Sequence, residues 1–188
     1  MRCFIAIDLP EDIKKYLSDT SKFFKIEGLK LIGPQNLHIT LKFLGEIDEN
    51  IVEKIKNKIR DATTSQKQFF CVIKETGTFP NIEKPRVIWV SVESGHQLED
   101  LAQKINKSLA TLDFKEESFT SHITIARVKK LDVVVKEKVA AALSKTQKIQ
   151  LKIKEEAQFK VAEMKLMKST LTPKGPIYET ITTFPFVE

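Results

Sequence analysis

The chain has 188 residues, enough for one domain with a substantial buried core. Its composition, 41% hydrophobic and 30% charged, excludes fibrous and disordered classes, and no apolar run approaches the roughly 18 to 20 residues of a membrane span. A net charge of +6 suits an anionic partner such as RNA without selecting one.

In chain order, residues 2–9 read as a buried strand, and Pro10 and Asp12 open a helix carrying Ile13, Tyr16 and Leu17. Residues 29–32 form a short strand ended by Gly33-Pro34, and residues 37–44 form another ended by Gly45. Asp48 caps a helix whose apolar stripe is Ile51, Val52, Ile55 and Ile59. A strand over 69–75, a loop over 77–85 and a strand over 87–92 follow. Ser94-Gly95 opens a helix with Leu98, Leu101, Ile105, Leu109 and Leu112, and residues 119–128 hold a further strand. Residues 133–143 read as helix, 149–154 and 159–167 as strands, Gly175-Pro176 as a turn, and 177–186 as a closing strand. Cys3 and Cys71 lie in apolar strand-like runs with no zinc spacing. They are expected to be buried free thiols of a reducing cytoplasm, and the acidic N-terminal dozen does not read as a signal peptide.

One stretch and its echo organise the whole. Asn36-Leu37-His38-Ile39-Thr40-Leu41-Lys42-Phe43-Leu44-Gly45 contains His-Ile-Thr and an apolar residue, and Ser121-His122-Ile123-Thr124-Ile125-Ala126-Arg127 repeats it 84 positions later. These copies hold two of the chain's three histidines; the third, His96, sits in a polar helix start and is expected to be exposed. Strand alternation puts His38 and Thr40 on one face and Ile39 and Leu41 on the other, and likewise for His122 and Thr124. Each copy thus offers a group that exchanges protons near neutrality beside a hydroxyl able to donate to an anionic oxygen. Parity also places Lys42 on the His38 face, Phe43 in the core, and Arg127 on the face opposite His122 unless the strand ends there. The repeated rhythm suggests a duplication. The expected fold is α+β within a single domain, 1–188: two pseudo-symmetric lobes with antiparallel-rich sheets facing a central cleft, helices outside.

The paired motifs resemble the H-x-T-x motifs of the 2H phosphoesterase superfamily, and more narrowly those of the RNA 2′,3′-cyclic phosphodiesterases, also called 2′-5′ RNA ligases. The opening Arg2-Cys3-Phe4-Ile5-Ala6-Ile7-Asp8-Leu9-Pro10, the strand Pro85-Arg86-Val87-Ile88-Trp89-Val90 and the tail from Ser169 to Tyr178 resemble further parts of that family in the same order. The resemblance implies His38 as proton donor and His122 as proton acceptor. It implies Thr40 and Thr124 on the phosphoryl oxygens, and Arg127 as a charge near the phosphate. It also implies RNA ends bearing 2′,3′-cyclic phosphate as substrates, those of tRNA fragments among them, with a 2′-phosphomonoester product and a reverse-type 2′-5′ ligation. No H-x-x-x-H or histidine–carboxylate cluster suggests a metal, and no glycine-rich phosphate loop suggests a nucleotide cofactor, so none is expected. Two other readings stay open: a non-catalytic basic RNA-binding module, and another 2H phosphodiesterase acting on a small cyclic nucleotide.

Overall fold

The computed structural model describes residues 1–150, 157–173 and 175–188. The strands are β1 (Arg2–Asp8), β2 (Leu29–Leu31), β3 (His38–Glu46), β4 (Phe69–Phe79), β5 (Val87–Glu93), β6 (His122–Val128), β7 (Gln158–Val161), β8 (Glu163–Thr172) and β9 (Gly175–Pro185). The helices are α1 (Glu11–Ser21), α2 (Val52–Thr63), α3 (Gln97–Ala110) and α4 (Val133–Gln150). The expected strand over 149–154 lies mostly outside the described residues, and its first two positions end α4. The loop expected over 77–85 starts later, because β4 runs on to Phe79. Gly175-Pro176 lies in β9 rather than in the turn.

Among the described residues all nine strands join one curled antiparallel sheet in the order β7-β4-β5-β6-β3-β1-β8-β9, with β2 paired to β6. The fold class is the expected α+β, and the antiparallel strands of the two halves meet through β3 and β6 in one sheet. That junction is a single pair, Ile39 with Ile123. Each strand owes its place to its pattern. β1 buries five consecutive residues from Cys3 to Ile7: Ile5 and Ile7 join the helix-covered core, while Phe4 is hidden on the open side by the His38 and Tyr178 rings.

The helices bring apolar stripes at helical spacing: Val52, Ile55 and Ile59 on α2, and Leu98, Leu101, Ile105 and Leu109 on α3. Ile55, Ile59 and these four α3 residues are fully or nearly fully buried. At about 1.5–3 kcal/mol per buried side chain they outweigh any helix-propensity preference and fix each helix's rotation. α3 packs on β3, α4 on β4 and α1 on β6, so the helices cover one face and leave the other open as a trough. None of the described helices is long and apolar enough to cross a membrane.

Candidate active site

Both motifs lie at the start of a strand, β3 at His38 and β6 at His122, and both are half-buried. The antiparallel pair Ile39–Ile123 sets His38 opposite Thr124 and Thr40 opposite His122. The two histidines are then diagonal neighbours, with Cβ atoms about 7–8 Å apart or somewhat less. Ile39 and Ile123 point into the core and are fully buried, which locks the register: a slip of one residue would bury the imidazoles and expose the isoleucines.

The ring orientations repeat as well. His38 Nδ1 lies 2.7 Å from the Asn36 carbonyl oxygen, and His122 Nδ1 lies 2.7 Å from that of Thr120, two residues back in each case. A carbonyl only accepts, so each Nδ1 carries a hydrogen and each Nε2 is left for the trough. His38 Nε2 lies 3.0 Å from Thr40 Oγ1, whose hydroxyl donates to it while the ring is neutral. Aromatic rings hold each imidazole. Phe4 and Tyr178 have centroids 5.0 and 5.3 Å from His38, and Phe79 stands edge-on to His122 at 5.0 Å, itself packed on Trp89.

Burial lowers the pKa of both histidines below the usual imidazole value. At His38 the Asn36 carbonyl and the Asp8 carboxylate work against that, while Arg127 and His122 add to it. At His122 the Thr120 carbonyl opposes burial and Arg127 adds to it, with no carboxylate contributing. Burial is the largest cause at both rings, so both are biased toward the neutral imidazole.

His38, Thr40, His122, Thr124 and Arg127 all line one cavity of about 940 Å³. Arg127 reaches it because the strand does not keep strict alternation. Ile88 pairs with Ala126 but Trp89 pairs with Thr124, leaving Ile125 as an extra residue, so Ile125 and Ala126 are both buried and Arg127 turns to the trough. β3 has the same irregularity three residues after its histidine: Ile5 pairs with Lys42 and Ala6 with Thr40, leaving Leu41 extra.

Two parity-based expectations are corrected by this bulge. Lys42 does not share the His38 face. It is 3% exposed on the helix side, where Nζ donates to Asn106 Oδ1 at 2.6 Å and to the Lys115 carbonyl at 2.7 Å. Phe43 is not core. It is 57% exposed and lines the trough, occupying in β3 the place of Arg127 in β6. His96 is exposed, in a left-handed turn ahead of α3, as its polar context implies.

Sequence reasoning passed over Phe4, Phe79 and Tyr178 as active-site walls. Their only local signal is aromatic character, since they enter from strands distant in sequence. For the bulge a signal did exist: the consecutive apolar pair Ile125-Ala126, which strict alternation cannot accommodate on a half-buried strand.

A curled antiparallel sheet thus presents two diagonal His-x-Thr pairs, each ring fixed by a main-chain carbonyl, in one trough. The model of the LigT-like phosphoesterases matches the chain twice, over residues 7–89 and 90–178, each match holding one motif. The chain is 41% identical over 182 residues to an RNA 2′,3′-cyclic phosphodiesterase of Methanocaldococcus jannaschii, covering 96% of this chain and 98% of that protein. It is 34% identical over 188 residues to one of Thermotoga maritima, covering 96% and 93%. The crystal structure of TT0787 of Thermus thermophilus superposes with a TM-score of 0.80 at 26% identity, covering 99% and 98%. The chain belongs to the LigT-like phosphoesterase family.

Proposed function

We propose that this protein hydrolyses the 2′,3′-cyclic phosphate at RNA ends, those of tRNA fragments included, to a 2′-phosphomonoester. The observation that carries the reading is the diagonal pair of imidazoles, both with Nδ1 fixed and Nε2 turned to one trough. Water loses a proton to His122 Nε2 and attacks phosphorus. The bond from phosphorus to O3′ breaks, and His38 Nε2 gives O3′ its proton. Thr40 and Thr124 donate to the non-bridging oxygens, and Arg127 balances their growing charge. The roles follow the resemblance to the family's motifs, and the Asp8 carboxylate works toward the proton that the acid at His38 needs. The scheme calls for no metal, and among the described residues no three His, Cys, Asp or Glu side chains stand together.

The same geometry admits an RNA 5′-hydroxyl in place of water at His122. Its oxygen would join phosphorus as O3′ leaves, giving a 2′-5′ linkage. Cys3 and Cys71 are buried free thiols, which suits a cytoplasmic enzyme.

The test is turnover of an RNA ending in a 2′,3′-cyclic phosphate, with EDTA present and the product mapped. A 2′-phosphate formed by the intact protein and lost in His38→Ala and His122→Ala supports the reading. A 3′-phosphate, or unchanged turnover in either variant, refutes it.

A further inference from the structure

The two halves of the site differ at one position. β1 runs beside β3 as β5 runs beside β6, and the bulges match: Ile5 and Ala6 stand to Lys42 and Thr40 as Ile88 and Trp89 stand to Ala126 and Thr124. Further along, the strand partners of the histidines correspond as well. Asp8 is paired with His38, and Ser91 with His122. Directly paired residues point to the same side of a sheet, with Cβ atoms about 4.5–5.5 Å apart. A carboxylate therefore stands beside one imidazole and a hydroxyl beside the other. Asp8, His38 and Lys165 also line one cavity of about 200 Å³ that opens beside the trough.

Asp8 is held firmly, and not by the ring. Its Oδ1 accepts from the Leu9 amide at 2.9 Å and lies 3.1 Å from Lys14 Nζ, and its Oδ2 accepts from Lys165 Nζ at 3.1 Å. His38 spends Nδ1 on the Asn36 carbonyl and Nε2 on Thr40, so Asp8 reaches it through charge rather than a hydrogen bond. Lys14 also lies 3.0 Å from Glu11 Oε1, and Lys165 lies 3.4 Å from Glu163 Oε1. Three carboxylates thus answer two ammonium groups, and the cluster keeps a negative charge in excess. Burial would raise the Asp8 carboxyl, but the hydrogen bonds from Lys14, Lys165 and the Leu9 amide hold it below its usual value, so it is an anion where the histidines titrate. The other titratable groups facing His38 are Arg127 and His122 of β6, which oppose its proton, and Tyr178 of β9, whose phenol burial keeps neutral. Ser91 is uncharged, and its hydroxyl is spent on the Glu75 backbone, donating to the carbonyl at 3.2 Å and accepting from the amide at 3.0 Å. No carboxylate acts on His122, where Arg127 is the charge that counts.

We propose that Asp8 is the positioning residue of the proton donor: held by Lys14 and Lys165, it reserves the donor's part for His38, and the uncharged Ser91 leaves the acceptor's part to His122. The inference rests on the phosphodiesterase reading above. The motif copies alone are alike, each a His-Ile-Thr with Nδ1 on a carbonyl two residues back. Burial biases both rings toward the neutral form, so a donor needs an opposing charge and an acceptor does not. The neighbouring strand supplies that charge to one ring only.

The test is the pH dependence of kcat/KM on a cyclic-ended RNA, in variants that change one charge at a time. Asp8→Asn removes the anion and leaves two lysines near His38, so the alkaline limb should move to lower pH. The rate near pH 7 should fall about tenfold, and the deficit should shrink to within about twofold on the acid limb, where His38 is protonated in both proteins. Lys165→Met unmasks Asp8, so its alkaline limb should move the other way; if Asp8→Asn melts early, this variant carries the test. Ser91→Asp gives His122 a carboxylate of its own, and its acid limb should move to higher pH. A merely structural role for Asp8 moves neither limb. An Asp8→Asn loss that is equal at every pH, a Lys165→Met alkaline limb that stays put or moves to lower pH, or an unmoved acid limb in Ser91→Asp overturns the proposal. If the intact protein opens no cyclic phosphate, the phosphodiesterase reading is what fails. NMR titration of the imidazoles then decides Asp8 by itself: His38 titrating lower in Asp8→Asn with His122 in place supports the proposal, and an unmoved His38 overturns it.

Discussion

Replacing Lys42 by Met separates the two faces of the first motif strand. The ammonium is buried, and burial lowers its pKa while Glu117 and Glu116 work against that shift. Met keeps the stem and removes both hydrogen bonds, to Asn106 Oδ1 and to the Lys115 carbonyl. A buried acceptor left without a partner costs about 1–3 kcal/mol, and relief of the buried charge offsets part of the loss of two, so the net destabilisation should be about 2–4 kcal/mol. For a chain of this size that is a fall in melting temperature of about 4–16 °C. Asn106 also donates to the Glu117 carbonyl, so the loosened part is the segment leading to β6 rather than the trough itself. Below the melt, kcat should stay within about threefold of the intact enzyme. Arg127→Met should do the reverse, losing about 10²–10³ in kcat with little change in melting, because its side chain is exposed in the trough. The assay is a thermal melt beside initial rates at one temperature well below both transitions. If Lys42→Met melts like the intact protein and loses rate as Arg127→Met does, the bulge-reversed parity is wrong.

His38→Ala and His122→Ala should each cost about 10²–10⁴ in kcat, measured on a cyclic-ended RNA, since each removes one proton transfer. Both imidazole pKa values are lowered in the free protein, so His122 sheds its proton, and His38 loses the one it needs, below the ordinary value of about 6.5. The kcat/KM profile should therefore peak on the acidic side of neutrality. Bound phosphate favours both protonated forms, so the kcat profile should lie at higher pH; a kcat/KM still climbing above pH 7.5 contradicts this. Gly77→Ala should destabilise by about 1–3 kcal/mol in a denaturant titration. The added Cβ would clash with the Trp89 ring carbons, and that ring packs on Phe79 and through it on His122, so turnover should fall too.

The sequence by itself determined the motif pairs, their strand character and the division of each into a core face and a chemical face. Those depend on neighbours one and two residues apart, and alternation reports them directly. The α2 and α3 stripes were legible for the same reason at helical spacing. Alternation failed three residues past each histidine, where an extra residue sits in β3 and in β6. A bulge is created by the partner strand's register, and the partners, β1 and β5, come from other parts of the chain. Lys42 and Phe43 therefore exchanged faces, and Arg127 turned to the trough. Only the tertiary structure decided that β3 and β6 meet at Ile39 and Ile123, which sets the spacing of the two imidazoles. It alone brought Phe4, Phe79 and Tyr178 around them and opened a second cavity beside His38, because contacts between strands distant in sequence leave no local period to read.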